Sequence, residues 1–393
     1  MGQSTSREPD GSIPRDAGMA WITSSVKRST PLTLVDVREW WSSSSWARYF
    51  GWAWVAGVLM LVATIWIAGT ENLPIRDPDA FIPGYLRMPL IVLAAILTDI
   101  VPRAVRRSRG RLRGLPAAWS EVVTERWPRS HLVFALSGMA AWYLTYATFR
   151  NLKSFVPWVN LHNYDAELAS IDRTIFFGRD PADLMHDLFG TGFTAQVMSA
   201  VYLVWLFLVP VSIAIALVWT RHNRAGSWYV TAVAFDWMLG AIIYLMLPTV
   251  GPIYSDPGEF TDLPNTYATW LSEQLLEDRV AVLADPWGAG TMQTIAAFAS
   301  LHVGIMMTIC LVAHFVRLAR WVRVSAWVFL AMTCLSTVYL GWHFFVDVLG
   351  GMALGTVGFW LGAMATGNRV GLRPRLRVEE APQPEPASSP VSL

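Results

Sequence analysis

Long apolar stretches separated by short polar segments constrain this 393-residue chain more than any other feature. A helix needs about 20 mostly apolar residues to cross a bilayer, because the hydrocarbon interior offers no partner to an exposed backbone amide. Hydrophobic residues make up 54% of the chain and charged residues only 15%, so it is more apolar than an ordinary soluble domain. The sequence therefore predicts an all-α fold, a polytopic membrane bundle.

About eight spans are expected. They run approximately over residues 50–68, 81–101, 132–149, 196–219, 228–247, 294–316, 325–340 and 344–365. Residues 1–33 are expected to be a disordered tail, and residues 367–393 a basic and then disordered one. Residues 34–131 would hold an interfacial helix, two accessory spans and a basic loop, and residues 132–366 the other six spans. In the loop after the fifth span, residues 267–283 have helical periodicity and are expected to form an interfacial lid.

The positions of the basic residues predict the orientation of the bundle. Cytoplasmic loops of membrane proteins carry an excess of Lys and Arg. If both termini lie inside, 7 of the 30 basic residues fall in outside segments: Arg76, Arg87, Arg150, Lys153, Arg173, Arg179 and Arg279. We therefore expect a multi-pass protein of the cell membrane with both termini cytoplasmic.

A histidine and an aspartate, His343 and Asp347, lie four residues apart at the start of the last span. On a helix this spacing places both side chains on one face. A carboxylate bonded to one imidazole nitrogen fixes the tautomer and leaves the other nitrogen free as a base or nucleophile. An ionised side chain inside a membrane helix is costly unless it is paired. The pair could either lock two helices together or take part in chemistry.

A second histidine is expected at the same depth. His302 follows Ser300 near the outer end of the sixth span, and the turn 248–252 ends the fifth span on that same side. One imidazole can attack phosphorus while another protonates the departing oxygen. The two histidines and Asp347 are therefore the minimum set for a phosphoester transfer.

Two segments, residues 299–303 (ASLHV) and 336–347 (STVYLGWHFFVD), resemble the motifs of the type 2 phosphatidic acid phosphatase superfamily. The superfamily reads P-S-G-H and then S-R, five residues, H, three residues and D. This chain matches in order and spacing at Ser300, His302, Ser336, His343 and Asp347. Leu301 and the Tyr339-Leu340 pair are similar to the inositol-phosphotransferase-like branch, that of fungal inositol phosphorylceramide synthase.

The chain departs from the superfamily motifs at three points. Ala299 replaces the usual Pro, and Thr337 stands where many of these phosphatases have a phosphate-binding Arg. The first motif of the superfamily, K, six residues, R-P, is absent from the sequence. Other groups must therefore hold the phosphate. The expected substrate-binding residues are Arg150, Lys153, Gly251, Ser300, Thr337 and Tyr339.

The resemblance implies a six-helix catalytic core of the phosphatase and phosphotransferase type in residues 132–366. It implies that His343, oriented by Asp347, is the nucleophile and forms a phosphohistidine, while His302 protonates the leaving alkoxide. This scheme requires no metal and no other cofactor. The implied partners are a lipid phosphoester and membrane lipids at the extracytoplasmic face, and the net charge of +1 gives no indication of nucleic acid.

The acceptor decides the reaction. With a lipid, inositol or glycan hydroxyl the protein would move a phospho-alcohol such as phosphoinositol, and with water it would be a lipid phosphatase. Leu301 and the missing phosphatase Arg favour transfer. Two further classes remain open. One is a metal-dependent membrane hydrolase with His302, His343 and Asp347 as zinc ligands. The other is a non-catalytic membrane protein whose His–Asp pair is structural.

Overall fold

A computed structural model describes residues 45–78, 84–220 and 222–376, with only the backbone described for residues 45–48 and 84–89. The predicted tail over residues 1–33, most of the predicted interfacial helix and the last residues of the chain lie outside these ranges.

Thirteen α-helices make up most of the described residues. They are α1 Ser45–Thr70, α2 Gly84–Arg107, α3 Leu115–Arg126, α4 Arg129–Val159, α5 Asp165–Ile175, α6 Pro181–Phe189, α7 Phe193–Ala214, α8 Asn223–Met246, α9 Pro252–Ser255, α10 Tyr267–Ala284, α11 Leu301–Phe315, α12 Arg320–Tyr339 and α13 Phe345–Ala365. A π-helical turn, Ile215–Trp219, continues α7. Two short strands, β1 Arg369–Val370 and β2 Arg373–Pro374, pair antiparallel after α13.

Six helical stretches in the described part of the chain are long and apolar enough to cross a membrane. They are Tyr49–Thr70, Arg129–Val159, Phe193–Trp219, Asn223–Met246, Arg320–Tyr339 and Phe345–Ala365. The predicted all-α membrane bundle is therefore confirmed, with six such helices where eight spans were expected. The predicted second span begins among residues that the structure leaves undescribed, so it stays a prediction.

Two predicted span boundaries are wrong. The third predicted span is part of a longer helix, α4, which continues to Val159. Within it Asn151 donates through Nδ2 to the carbonyls of Ala147 and Arg76 (both 2.9 Å). The sixth span starts late, since residues 294–300 are not helical and α11 has only 15 residues. In that segment the N–H of Phe298 donates to Thr249 Oγ1 (2.7 Å), so it is bonded to another loop.

Helix α8 lies at the centre of the bundle. It packs against α1, α4, α11 and α13, and every residue from 226 to 237 is buried. A helix buried on all sides is typical of the middle of a large bundle. The predicted lid segment is helical as α10, and the N–H of Ala268 in its first turn donates to Ser199 of α7 (3.0 Å).

Glycines let α13 approach α11 closely. A Cβ at Gly355 would collide with the carbonyl oxygen of Gly304, and one at Gly351 would collide with that of Ser300. Membrane helices use small residues in this way, because close backbone approach increases dispersion contacts between helices. This contact brings the beginning of α11, where His302 lies, against the beginning of α13.

The glycine contact predicts a cost for Gly355→Ala. The added methyl has no space, so we expect a loss of about 1–3 kcal/mol of stability, as for other overpacked cores. Thermal unfolding of the purified protein in detergent measures it. Gly69→Ala is the control, because a Cβ there meets nothing within 4 Å. Equal unfolding midpoints for the two variants would contradict the packing described here.

Candidate active site

Three loops meet at one end of the bundle, over residues 248–253, 295–300 and 340–345. Backbone hydrogen bonds join them: Ile253 N–H to Gly341 O (2.9 Å), Ala297 N–H to Thr249 O (3.1 Å) and Ser300 N–H to Asp347 O (3.0 Å). The ends of α8, α11, α12 and α13 are therefore held together at one place, which is where the sequence predicted the site.

His302, His343 and Asp347 form a chain of side chains across this junction, which we call the relay. Nδ1 of His343 lies 3.2 Å from Oδ2 of Asp347, and Nε2 of His343 lies 3.1 Å from Nδ1 of His302. His343 and Asp347 are buried, and His302 is partly buried. The structure thus brings together the three residues predicted to be catalytic.

The hydrogen bonds of the relay assign its protons. Oδ2 of Asp347 accepts from the N–H of Phe344 (3.0 Å) and, as a carboxylate, accepts from Nδ1–H of His343 as well. Nε2 of His343 then carries a lone pair and accepts from Nδ1–H of His302. Burial, followed by the nearby charge of Lys153, lowers the pKa of His343 to about 3. The imidazole of His343 is therefore neutral at physiological pH. Its Nε2 is unprotonated and can act as a base or nucleophile.

Aromatic rings surround His302. Its ring lies 4.3 Å from that of Trp205 and 5.0 Å from that of Tyr202, measured between centroids. Trp205 also donates through Nε1 to the His302 carbonyl (2.9 Å), and Tyr202 stacks on Trp342. These contacts hold the start of α11 in place and exclude water from one side of the relay.

The predicted zinc site does not match this arrangement. Metal ligands converge on one point, whereas Asp347 contacts one nitrogen of His343 and His302 faces the other. Among the described residues, the carboxylates of Asp180, Asp183 and Glu259 do lie within 4.8 Å of one another, and all three are partly exposed. This cluster includes neither histidine.

A cavity opens beside His343. Its wall includes Phe344, Val338 and Pro252 next to the relay. Its charged lining residues are Asp172, Arg173, Asp180, Asp256 and Glu259. Burial raises the pKa of Glu259 to about 7, and the neighbouring carboxylates add to the rise. In the part of the chain that the structure describes, a substrate group could reach His343 through this cavity.

Three of the predicted substrate-binding residues use their hydroxyl groups in structural hydrogen bonds. Ser300 caps α11 by accepting from the Val303 N–H (3.4 Å), and Thr337 donates to the Thr333 carbonyl (3.0 Å). Tyr339 donates to the Gly190 carbonyl (2.6 Å). All three side chains are buried. Their roles in substrate binding stay predictions, and the geometry gives each a structural role as well.

Gly251 lies in the 248–253 loop with a φ of +94°, a backbone conformation that favours glycine. Its N–H donates to Oδ1 of Asp165 (2.8 Å), so this amide already has an acceptor. A Cβ at this position would lie 2.6 Å from the Trp342 carbonyl oxygen. The glycine therefore allows the loop to contact the residue that precedes His343.

The two predicted cations on α4 lie in different surroundings. Lys153 is close enough to the relay to contribute to the lowered pKa of His343, and its Nζ lies 5.0 Å from the centre of the Tyr244 ring. Arg150 instead contacts the Tyr146 hydroxyl (3.3 Å) and the Pro78 carbonyl (3.5 Å). The structure therefore brings Lys153 towards the relay and turns Arg150 towards the segment before α2.

Sequence reasoning missed two carboxylates on α5 that contact the site. Oδ2 of Asp165 accepts from the Val250 N–H (2.8 Å), and Asp172 accepts from the N–H groups of Phe345 (2.6 Å) and Val346 (2.9 Å). Burial raises the pKa of both carboxyls, that of Asp172 to about 6. The available signal was their spacing of seven residues, which places both on one face of a helix.

Arg279 and Gln293 were also missed. Gln293 is fully buried, donates to the Lys153 carbonyl (2.8 Å) and accepts from Nη1 of Arg279 (3.0 Å). Gln293 therefore joins α10 to α4. The signal in the sequence was that Arg279 is the sole Lys or Arg in the acidic stretch 248–293.

The comparison with known families agrees with this site. Residues 166–361 match a family model described as PAP2 superfamily, and the matched range contains the relay and Asp172. The chain has no match among the curated proteins or the solved structures. The resemblance at the level of the superfamily is confirmed, and the inositol-phosphotransferase-like branch stays a prediction. Over residues 166–361 the chain is therefore similar to the PAP2 superfamily, and the described helices include six that are long and apolar enough to cross a membrane.

Proposed function

We propose that this protein is a membrane phosphotransferase that moves a phospho-alcohol from a lipid phosphoester to a hydroxyl acceptor through a phosphohistidine at His343. One observation supports this proposal above all: the side chains of Asp347, His343 and His302 contact one another in a line. It presents one imidazole nitrogen with a lone pair next to another that carries a proton. A nucleophile and an acid side by side are what a phosphoester transfer needs.

In the first half of the reaction Nε2 of His343 attacks the phosphorus. The bond from phosphorus to the leaving oxygen breaks. His302, which carries a proton on both ring nitrogens when the anionic substrate is bound, gives its Nδ1 proton to that oxygen and becomes a neutral imidazole. Asp347 stabilises the cationic imidazole that forms. Since the two nitrogens are 3.1 Å apart, the substrate must separate the rings to place phosphorus between them.

In the second half His302 acts as the base. Its Nδ1 takes the proton of the acceptor hydroxyl, whose oxygen attacks the phosphorus, and the bond from phosphorus to His343 breaks. The relay returns to its starting protonation. If the donor is a phosphodiester lipid, the group carried on His343 is a phospho-alcohol such as phosphoinositol, and the leaving group is the lipid alcohol.

Burial of the relay supports transfer over hydrolysis. His343 is 3% exposed and Asp347 fully buried, and aromatic rings cover His302. A site from which water is excluded protects a reactive phosphohistidine from hydrolysis. If water enters as the acceptor, the same residues make a lipid phosphatase, which is the second candidate. Product analysis with and without an added alcohol distinguishes the two.

We place the site on the extracytoplasmic side of the cell membrane. The support is the distribution of Lys and Arg, most of which would otherwise lie outside. On this orientation the cavity beside His343 opens towards lipid headgroups of the outer leaflet. Such headgroups supply the phosphoester.

The geometry predicts that Lys153 contributes more to phosphate binding than Arg150. Lys153→Met should lower kcat/KM by about 10²-fold, a loss typical of removing one donor from a transition-state site. Arg150→Met, made on the same helix, should cost much less, because its guanidinium already contacts Tyr146 and Pro78. Steady-state kinetics of the two variants measures this. Equal losses, or a larger loss for Arg150→Met, would contradict the assignment.

The role of His302 is tested through the leaving group. His302→Ala should lose roughly 10²–10⁴-fold in rate with an alkyl lipid phosphodiester, as expected for general acid help. The loss should shrink with a nitrophenyl phosphodiester, because nitrophenolate leaves without a proton. His162→Ala removes an exposed histidine that pairs with Glu167 and serves as the control. An equally large defect with both substrates would rule out the acid role.

A further inference from the structure

We propose that Asp172 of α5 is a positioning residue for the His343–Asp347 pair, and that it acts by holding the N-terminus of α13. The proposal rests on the proposed function, because it is that function which makes the pair catalytic. Among the described residues, Asp172 accepts hydrogen bonds from the Phe345 and Val346 amides and makes none with either histidine. It acts through the backbone from which the pair projects.

Both oxygens of Asp172 are bound to the start of α13. Oδ2 accepts from the Phe345 N–H at 2.6 Å, and Oδ1 accepts from the Val346 N–H at 2.9 Å. The residue is 1% exposed. The first amides of a helix have no partner within it, and hydrogen bonds from amides to a carboxylate are stronger than those between neutral groups. Asp172 is therefore a buried acceptor that another helix supplies to α13.

The two amides lie between the catalytic residues. Phe345 and Val346 occupy the positions after His343 and before Asp347, and Asp347 itself caps the helix by accepting from the Phe344 N–H. On the other side, the N–H of His343 donates to the Thr337 carbonyl (3.1 Å). A shift of the α13 N-terminus would therefore move His343 relative to Asp347. A misplacement of about 1 Å can cost about 10² in rate.

Asp165 makes the matching contact from the same helix. It lies seven residues before Asp172 and accepts from the N–H groups of Val250 and Gly251, each at 2.8 Å. We call Asp165 and Asp172 together the α5 brace. The brace fixes the 248–253 loop, which contacts the Trp342 carbonyl through Gly251, and the α13 N-terminus. One helix face thus holds the backbone on both sides of His343.

The central test compares Asp172→Asn with Glu167→Gln. Asn offers one carbonyl oxygen and an amide group that cannot accept, so one of the two N–H bonds is lost. Glu167 lies on the exposed side of α5, and its substitution removes the same charge from the same helix. For Asp172→Asn we expect kcat to fall by about 10²-fold with KM nearly unchanged. Glu167→Gln should leave both constants as they are.

Hydrogen exchange measures the brace without any assay of activity. The amides of residues 345 and 346 should exchange faster in Asp172→Asn than in wild type, and those of Glu167→Gln should not change. Unchanged exchange in Asp172→Asn would overturn the proposal. Faster exchange with an unaltered kcat would also overturn it, because the brace would then be structural alone. If wild type transfers no phosphate, the proposed function fails, and exchange still decides whether Asp172 holds α13.

A pH profile of the wild-type protein tests the proposal without requiring any variant to fold. The charged and titratable groups around Asp172 are His343, Asp347, Arg173, Asp180, Asp256 and Glu259. With the pKa of Asp172 raised to about 6, its carboxylate is protonated below that pH and one oxygen becomes a donor. The kcat of wild type should therefore fall, and exchange protection at residues 345 and 346 should weaken, below about pH 6.

Two variants test whether Asp172 causes this fall in kcat at low pH, which we call the acidic limb. It should disappear in Asp172→Asn and persist in Glu259→Gln, whose glutamate has a pKa of about 7 and faces the same cavity. The protonation of Asp172 should affect global stability in the opposite direction to kcat, because it should raise the free energy of unfolding at low pH. A carboxyl whose pKa is raised on folding contributes stability below about pH 4, and that contribution is lost as the pH rises through about 6. A limb that persists in Asp172→Asn would overturn the proposal.

Discussion

Backbone amides at the start of a buried helix must find acceptors, and the site of this protein depends on how α13 meets that need. In an apolar surrounding each amide left without a partner costs several kcal/mol. Two carboxylates bind them, Asp347 from within the helix and Asp172 from α5. Asp347 also binds His343. The interaction that lets the helix begin inside the protein is therefore the same one that orients the proposed nucleophile.

Close helix packing completes the relay from the other side. Gly351 and Gly355 of α13 let α11 approach until His302 reaches Nε2 of His343. Burial keeps His343 neutral, so its nitrogen is a base, and the low dielectric strengthens its bond to Asp347. Packing, helix capping and proton placement are thus properties of one junction. A substrate that separates the two rings exchanges the bond between the histidines for bonds to its own phosphate.

The sequence predicted the features that follow from local spacing. The four-residue interval predicted the contact of His343 with Asp347, although His343 lies two residues before α13 and not within it. Apolar length predicted most of the membrane helices. The partners of Asp165 and Asp172 lie 85 to 174 residues away along the chain, and no local rule links them. Ser300 matched the family motif in spacing and Thr337 departed from it, and only the structure places the hydroxyls of both in helix hydrogen bonds. The non-helical segment before α11 likewise contacts a distant residue, since the Phe298 N–H donates to Thr249 Oγ1.

The proposed reaction requires phosphorus to become bonded to Nε2 of His343. The most direct measurement is to incubate the purified protein with a phosphorus-labelled lipid phosphodiester and EDTA, stop the reaction in base, and locate the label by mass spectrometry. We expect an acid-labile label on His343 that is absent in His343→Ala and accumulates in the absence of an acceptor alcohol. A label on another residue, or turnover that needs an added metal ion and leaves His343 unmodified, would contradict it.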